Sequence, residues 1–232
     1  MTAVDRTRIK ICGLTREQDV DAAVAAGADA VGFVMYGKSP RCVAPARAAE
    51  LARRLPPFVT PVLLFVNEEP AAVLRVCEQV AGATVQFHGD ETAEQCLAAT
   101  GEGRYPFLRV ARIPLGTSEP FDLVKFAALH PKAQAILLDA HVDGYGGGGK
   151  AFNWSRLPAS VNCHLVLSGG LTPANVTDGI VQVRPRCKTL AVDVSSGVEV
   201  SAGEGATLKG IKDPEKIHQF VAAVRAADKL LA

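Results

Sequence analysis

Eight short aliphatic runs recur along the 232 residues, and segments with helical features separate them. The runs are Ile9–Cys12, Ala30–Val34, Val62–Phe65, Thr84–Phe87, Phe107–Val110, Ile136–Asp139, His164–Leu167 and Leu190–Val194. They are rich in Val, Ile and Leu and apolar almost throughout, where a half-exposed strand would alternate. Strands read this way when both faces of a parallel sheet are covered. A repeated strand–helix unit leaves two architectures, a closed (β/α)8 TIM barrel or a doubly wound open sheet. No low-complexity or charged linker interrupts the series, so residues 1–232 are expected to form one barrel domain, close to the roughly 250 residues such a barrel needs.

Several helix boundaries are legible. Thr15-Arg16-Glu17-Gln18 has capping-box spacing, and Gly27 suits the left-handed position that ends a helix. Thr172-Pro173 and Asp213-Pro214 each place a capping residue before a proline, which loses no needed amide at the first helical position. Pro70 is expected to do the same for a helix over Ala71–Val80. Weaker helical features lie around Phe121–Leu129 and Trp154–Leu157.

Composition removes several function classes. With 48% hydrophobic and only 6% aromatic residues, the core must be mainly aliphatic. A net charge of +1 without a basic, aromatic-interleaved stripe argues against a nucleic-acid partner. No run approaches the ~18 apolar residues of a membrane span, and Met1–Thr15 does not read as a secretory signal. The expectation is therefore a cytoplasmic protein, whose six scattered cysteines stay free in a reducing compartment.

In a (β/α)8 barrel the chemistry gathers at the C-terminal ends of the strands. Lys10 and Cys12 share one face of the first strand. If that face is internal, the ammonium favours a thiolate and makes Cys12 a candidate base or nucleophile; otherwise Cys12 is a small buried hydrophobe. Arg41, after the second strand, offers a fork for a carboxylate or phosphate, or is a surface charge. Gln86 and His88 share a face at the fourth strand's end, as a polar layer or as ligand contacts. Asp139 ends an aliphatic run, where a carboxylate needs partners, and partial burial would keep a proton available for donation. The glycine-rich segment Gly144–Lys150 is either a cover for a ligand or a plain connector. Gly169 and Gly170, with Ser195, Ser196 and Gly197, sit after strands seven and eight, where such barrels commonly bind phosphate.

Taken in order, these segments resemble the phosphoribosylanthranilate isomerase family of tryptophan biosynthesis. The matching stretches include Lys10-Ile11-Cys12-Gly13, Ser39-Pro40-Arg41, Val85-Gln86-Phe87-His88-Gly89, Leu138-Asp139, Ser168-Gly169-Gly170-Leu171 and Val192–Glu199, and they run from about residue 8 to residue 225. The resemblance favours the barrel over the open sheet. It implies an Amadori rearrangement of N-(5'-phosphoribosyl)anthranilate without metal or organic cofactor, with Cys12 as general base and Asp139 as general acid. It also implies that Arg41 faces the anthranilate carboxylate, that the two glycine-bearing loops hold the phosphate, and that Asp193 either holds its loop or orients substrate, while Gln86 and His88 stay open between a polar layer and substrate contacts. The protein would act as a monomer or homodimer on this small molecule. Two rivals remain: the related histidine-pathway isomerase, which generally carries an aspartate where Cys12 stands, and a barrel that binds a phosphate ligand without catalysis. The chain departs from the family in Val200–Ile211, which is longer than expected beside the phosphate loops, and slightly in Arg186–Thr189.

Overall fold

The computed structural model describes residues 6–115, 121–141, 153–203 and 206–231. Eight parallel strands close into a barrel in sequence order. They are β1 (Arg8–Cys12), β2 (Ala30–Val34), β3 (Thr60–Phe65), β4 (Thr84–Phe87), β5 (Phe107–Pro114), β6 (Ala135–His141), β7 (Leu165–Leu167) and β8 (Leu190–Val194). Closure is made by β8 pairing with β1, where Lys10 lies opposite Asp193. The open-sheet alternative is thereby excluded. β5 and β6 outrun the aliphatic segments that mark them, because their ladder continues through Arg112–Asp139 to Pro114–His141.

The helices are α1 (Glu17–Ala26), α2 (Pro45–Ala52), α3 (Pro70–Cys77), α4 (Ala93–Ala99), α5 (Leu123–Leu129), α6 (Val176–Val183) and α7 (Pro214–Leu230). Between β6 and β7 the only helical element among the described residues is a 3-10 turn, Trp154–Arg156. The main core lies between barrel and helices, with Ile9, Ile11, Phe33, Leu63, Phe65, Val85 and Phe87 of the strands packed in one cluster with Val20, Val73, Ile180, Ile217 and Phe220 of the helices. Two smaller apolar groups stand apart from it: Cys12, Val34, Leu64 and Val66, and Val110, Ala135, Leu137 and Val166. Apart from Val66, which follows β3, these are the alternate strand residues that fill the barrel itself, so polar side chains of the same alternation face its mouth.

Two helix starts differ from the sequence expectation. Thr15 does not cap α1; Arg16 is the N-cap residue, without a side-chain cap, and the Thr15 hydroxyl donates to the Gly210 carbonyl at 2.7 Å. Thr172-Pro173 lies in a turn before α6, which starts at Val176. Asn175 supplies the reason, since its side chain accepts from Thr172 N at 2.8 Å and donates to Gly170 O at 2.9 Å, ordering a loop where a helical turn was expected. In both cases a tertiary partner outcompetes the local cap. Gly27 does end α1 in the left-handed conformation, at φ 91°. Pro70 does open α3.

The long Val200–Ile211 segment is part of a two-stranded antiparallel ribbon, β9 (Glu199–Gly203) with β10 (Ala206–Lys212), standing on the C-terminal rim. Asp213 then caps α7, its carboxylate accepting from Glu215 N at 3.0 Å and Lys216 N at 3.4 Å. Asp213→Ala should therefore cost about 1 kcal/mol of stability. Equilibrium denaturation of the two proteins measures this, and an unchanged midpoint would show that packing of α7 alone holds the ribbon's exit.

Candidate active site

Lys10 and Cys12 both point into the barrel from β1. Lys10 Nζ meets Asp193 Oδ1 at 2.9 Å, and both residues are buried. Burial alone would lower the ammonium's pKa, but Asp193 and the neighbouring thiol outweigh it and raise it to about 12. Cys12 is also buried, and Gly32 of β2 leaves the space beside it: a Cβ there would lie 2.7 Å from the sulfur. Lys10 does favour the thiolate, as its place on the same inward face predicts, but burial acts against it. Burial pushes the thiol above its ordinary value of 9.0, and Lys10, already paired with Asp193, only partly opposes this. In the ligand-free protein the balance therefore favours the thiol over the thiolate.

Asp139 ends up across the barrel mouth, on β6, three strands from β1 around the closed sheet. Its Oδ2 lies 2.9 Å from His88 Nε2, and its Oδ1 accepts from Ala140 N at 3.0 Å. His88 Nδ1 in turn lies 3.2 Å from Gln86 Nε2. An amide nitrogen can only donate, so Nδ1 accepts, and in the neutral ring the proton resides on Nε2 and faces the carboxylate. Gln86, a candidate ligand contact, is fully buried and meets the site through His88. Gly169, at φ 80°, is held to glycine by this carboxylate, because a Cβ would come within 2.9 Å of Asp139 Oδ1 and 2.7 Å of Ala140 N.

The loops after β7 and β8 touch. A Cβ on Gly197 would stand 1.9 Å from Leu171 O, so only a glycine permits this contact. Ser168–Gly170 and Ser195–Gly197 are all partly exposed, whereas the strand residues that lead into them, Leu165–Leu167 and Val192–Val194, are buried. Gly144–Lys150 lies outside the described residues.

Arg41 is buried, and Glu199 grips its fork: Nε to Oε1 at 2.7 Å and Nη2 to Oε2 at 2.9 Å. Glu199 also accepts from Thr207 Oγ1 at 2.9 Å and Gly210 N at 2.8 Å, both in the β9–β10 ribbon, and lies 3.4 Å from Lys212 Nζ. Burial would raise this carboxyl, yet Arg41 and Lys212 together hold it down at about 2. Sequence reasoning did not single out Glu199 or Lys212 as site residues. Glu199 closes a glycine-bearing loop, and Lys212 stands before an Asp-Pro helix start, where a lysine ordinarily faces water.

This arrangement can do acid–base chemistry on an anionic ligand. It offers a buried thiol and a hydrogen-bonded carboxyl on opposite walls, an arginine on the rim between β2 and the ribbon, and two touching glycine-bearing loops. The chain matches the family described as N-(5'phosphoribosyl)anthranilate (PRA) isomerase over residues 9–223. It is 60% identical to "N-(5'-phosphoribosyl)anthranilate isomerase" of Leptothrix cholodnii, covering 96% of this chain and 93% of that protein. Its counterpart in Methylibium petroleiphilum is 59% identical, with 98% of each covered. Among solved structures, the phosphoribosyl anthranilate isomerase of Thermus thermophilus superposes with a TM-score of 0.78 at 32% identity, covering 95% of this chain and 99% of that one. A phosphoribosyl anthranilate isomerase in complex with reduced 1-(o-carboxyphenylamino)-1-deoxyribulose 5-phosphate gives a TM-score of 0.73 at 36% identity, with the same coverage. This chain belongs to the N-(5'-phosphoribosyl)anthranilate isomerase family.

Proposed function

We propose that the protein catalyses the Amadori rearrangement of N-(5'-phosphoribosyl)anthranilate to 1-(2-carboxyphenylamino)-1-deoxyribulose 5-phosphate, in tryptophan biosynthesis. The observation that carries the mechanism is the placement of Cys12 and Asp139 on opposite walls of one barrel mouth, with the touching β7 and β8 loops on its rim.

Asp139, carrying a proton when substrate is bound, gives it to the furanose ring oxygen as the ring C–O bond breaks, which leaves a hydroxyl on the sugar, a protonated Schiff base at C1 and an Asp139 carboxylate. His88 and the Ala140 amide orient that carboxyl. The iminium acidifies C2, and the Cys12 thiolate takes the C2 proton while the C–H electrons move to form an enolamine. Ketonisation then adds a proton at C1 and releases the enol proton, so the product is an isomer of the substrate. The substrate's own imine accepts the electron pair.

Burial makes the thiolate rare in the resting protein, and the mechanism answers this directly. The cationic Schiff base forms beside the sulfur before the thiolate is needed, and a nearby cation favours loss of the thiol proton to water. Lys10 and Lys212 already act in that direction. The two glycine-bearing loops take the phosphate mainly with backbone amides. Arg41 is left with Nη1 outside its pair with Glu199, and that edge receives the anthranilate carboxylate.

Steady-state assay with freshly generated substrate, beside product titration, tests this assignment. Cys12→Ser and Asp139→Asn should each lose about 10²–10⁴-fold in kcat while still binding product. Retention of more than about a tenth of wild-type turnover in Cys12→Ser would remove the thiolate from the mechanism. In the ligand-free wild type, the thiolate absorbance assigned by difference from Cys12→Ser should appear only above pH 9, because burial raises that thiol. A midpoint near neutrality would contradict the burial argument.

Arg41→Met should raise KM by about ten- to a hundredfold, the loss expected for one charge-assisted contact. Arg41→Lys keeps a charge opposite Glu199 but loses the fork, and should fall between. Wild-type KM in both variants would leave Arg41 as a partner of Glu199 alone.

A further inference from the structure

Lys212 is a strongly buried cation beside the β8 loop, and the mechanism above uses its charge only to favour the Cys12 thiolate, giving it no part in binding the substrate. It ends β10 and is 1% exposed. Its Nζ donates to Ser195 O at 2.9 Å, to Ser195 Oγ at 3.3 Å and to Glu199 Oε1 at 3.4 Å. Three acceptors use all three of its protons, so it has none to give a ligand directly. An ammonium cannot accept, so the Ser195 hydroxyl receives from Lys212 and must send its own proton elsewhere. Ser195 is partly exposed on the β8 loop and adjoins Ser196 and Gly197.

We propose that Lys212 is a positioning residue for the substrate phosphate, which acts through Ser195: it fixes that hydroxyl as an outward donor and places a buried positive charge behind the phosphate loops. The proposal rests on the reading of the β7 and β8 loops as the phosphate site. Such a cradle, built of backbone amides, carries only partial charges, whereas a phosphate monoester arrives as a dianion. A full charge one hydroxyl away supplies the difference without a surface lysine competing for solvent.

The charges around Lys212 come from every element packed on it. Glu199 of β9 attracts it, Arg41 of the β2 loop repels it, and Cys12 of β1 attracts it when ionised. Asp19 of α1 accepts from its backbone amide at 3.1 Å, and Arg16 donates to its carbonyl at 3.3 Å. Burial dominates and lowers the ammonium's pKa from 10.5 to about 8. A bound dianion must raise that value, because it favours the charged form. Binding therefore takes up a proton in the window just above pH 8. Affinity is highest below about pH 8 and falls as pH rises through it, at most about tenfold per pH unit.

The test is calorimetric titration with reduced 1-(o-carboxyphenylamino)-1-deoxyribulose 5-phosphate and, separately, with inorganic phosphate. Each is run near pH 8.5 in two buffers of different ionisation enthalpy, which reads proton uptake. Monoester and inorganic phosphate alike are almost fully dianionic there, so the ligand contributes little. Wild type should take up about half a proton or more with both ligands. Cys12→Ala should do the same, which separates Lys212 from the thiol. Lys212→Met should lose the uptake and bind the product analogue at least about tenfold more weakly at pH 7, while Lys212→Arg, which stays charged, should bind without uptake. Binding by wild type with no proton uptake overturns the proposal, even if Lys212→Met does not fold. Uptake with the product analogue but none on binding inorganic phosphate also overturns it, by moving the effect to the carboxylate. Failure of wild type to bind the product analogue at all would instead overturn the reading of the site on which the proposal stands.

Discussion

Closure of the barrel depends on β8 finding β1, and the residues that meet at that seam are charged. Lys10 and Asp193 are register partners in the ladder and an ion pair at 2.9 Å, both almost fully removed from water. Burying two charges is costly unless they meet in good geometry, and breaking such a pair by removing one partner typically costs about 3–5 kcal/mol. The seam therefore has one favourable register. A slip by one residue would expose neither charge to water and pair neither with the other. The same register delivers Cys12 to the mouth of the barrel and the β8 loop to its rim.

A second buried charge cluster is layered on the first. Glu199 joins Arg41 from the β2 loop, Lys212 from the ribbon and the Gly210 amide, and it is fully buried among them. The two clusters together place more cations than anions around the thiol and the phosphate loops. Desolvation still prevails at Cys12 in the ligand-free protein. Under the proposed mechanism that balance suits an enzyme whose intermediate brings its own positive charge: the base would become available when the Schiff base forms, and an idle nucleophilic thiolate would be avoided.

The fold was legible because β-strands buried on both faces cannot hide in the sequence; every one of the eight aliphatic runs became a barrel strand. Local punctuation was legible where no distant group intervened, as at Gly27, Pro70 and Asp213. It failed at Thr15 and Thr172, where Gly210 O and the Asn175 side chain offered better hydrogen bonds than the helix did. The family resemblance carried Cys12, Asp139 and the two loops to the rim, but not the charges that tune them. Lys212 lies 202 residues from Lys10 in the chain, and only the ribbon's path back onto the barrel brings it beside Ser195. The same path explains why Glu199 occupies Arg41, a contact between residues 158 apart that no local pattern encodes.

The central claim is that Asp139 opens the ring and Cys12 then takes the proton from C2, two steps assigned to two walls of one barrel. Single-turnover kinetics with substrate deuterated at C2 tests it most directly, because product release cannot mask the chemistry. The account predicts a large primary isotope effect in Cys12→Ser, where proton abstraction has become the slow step, and none in Asp139→Asn, where ring opening is slow and C2 is untouched. An isotope effect in Asp139→Asn with none in Cys12→Ser would reverse the two roles and contradict it.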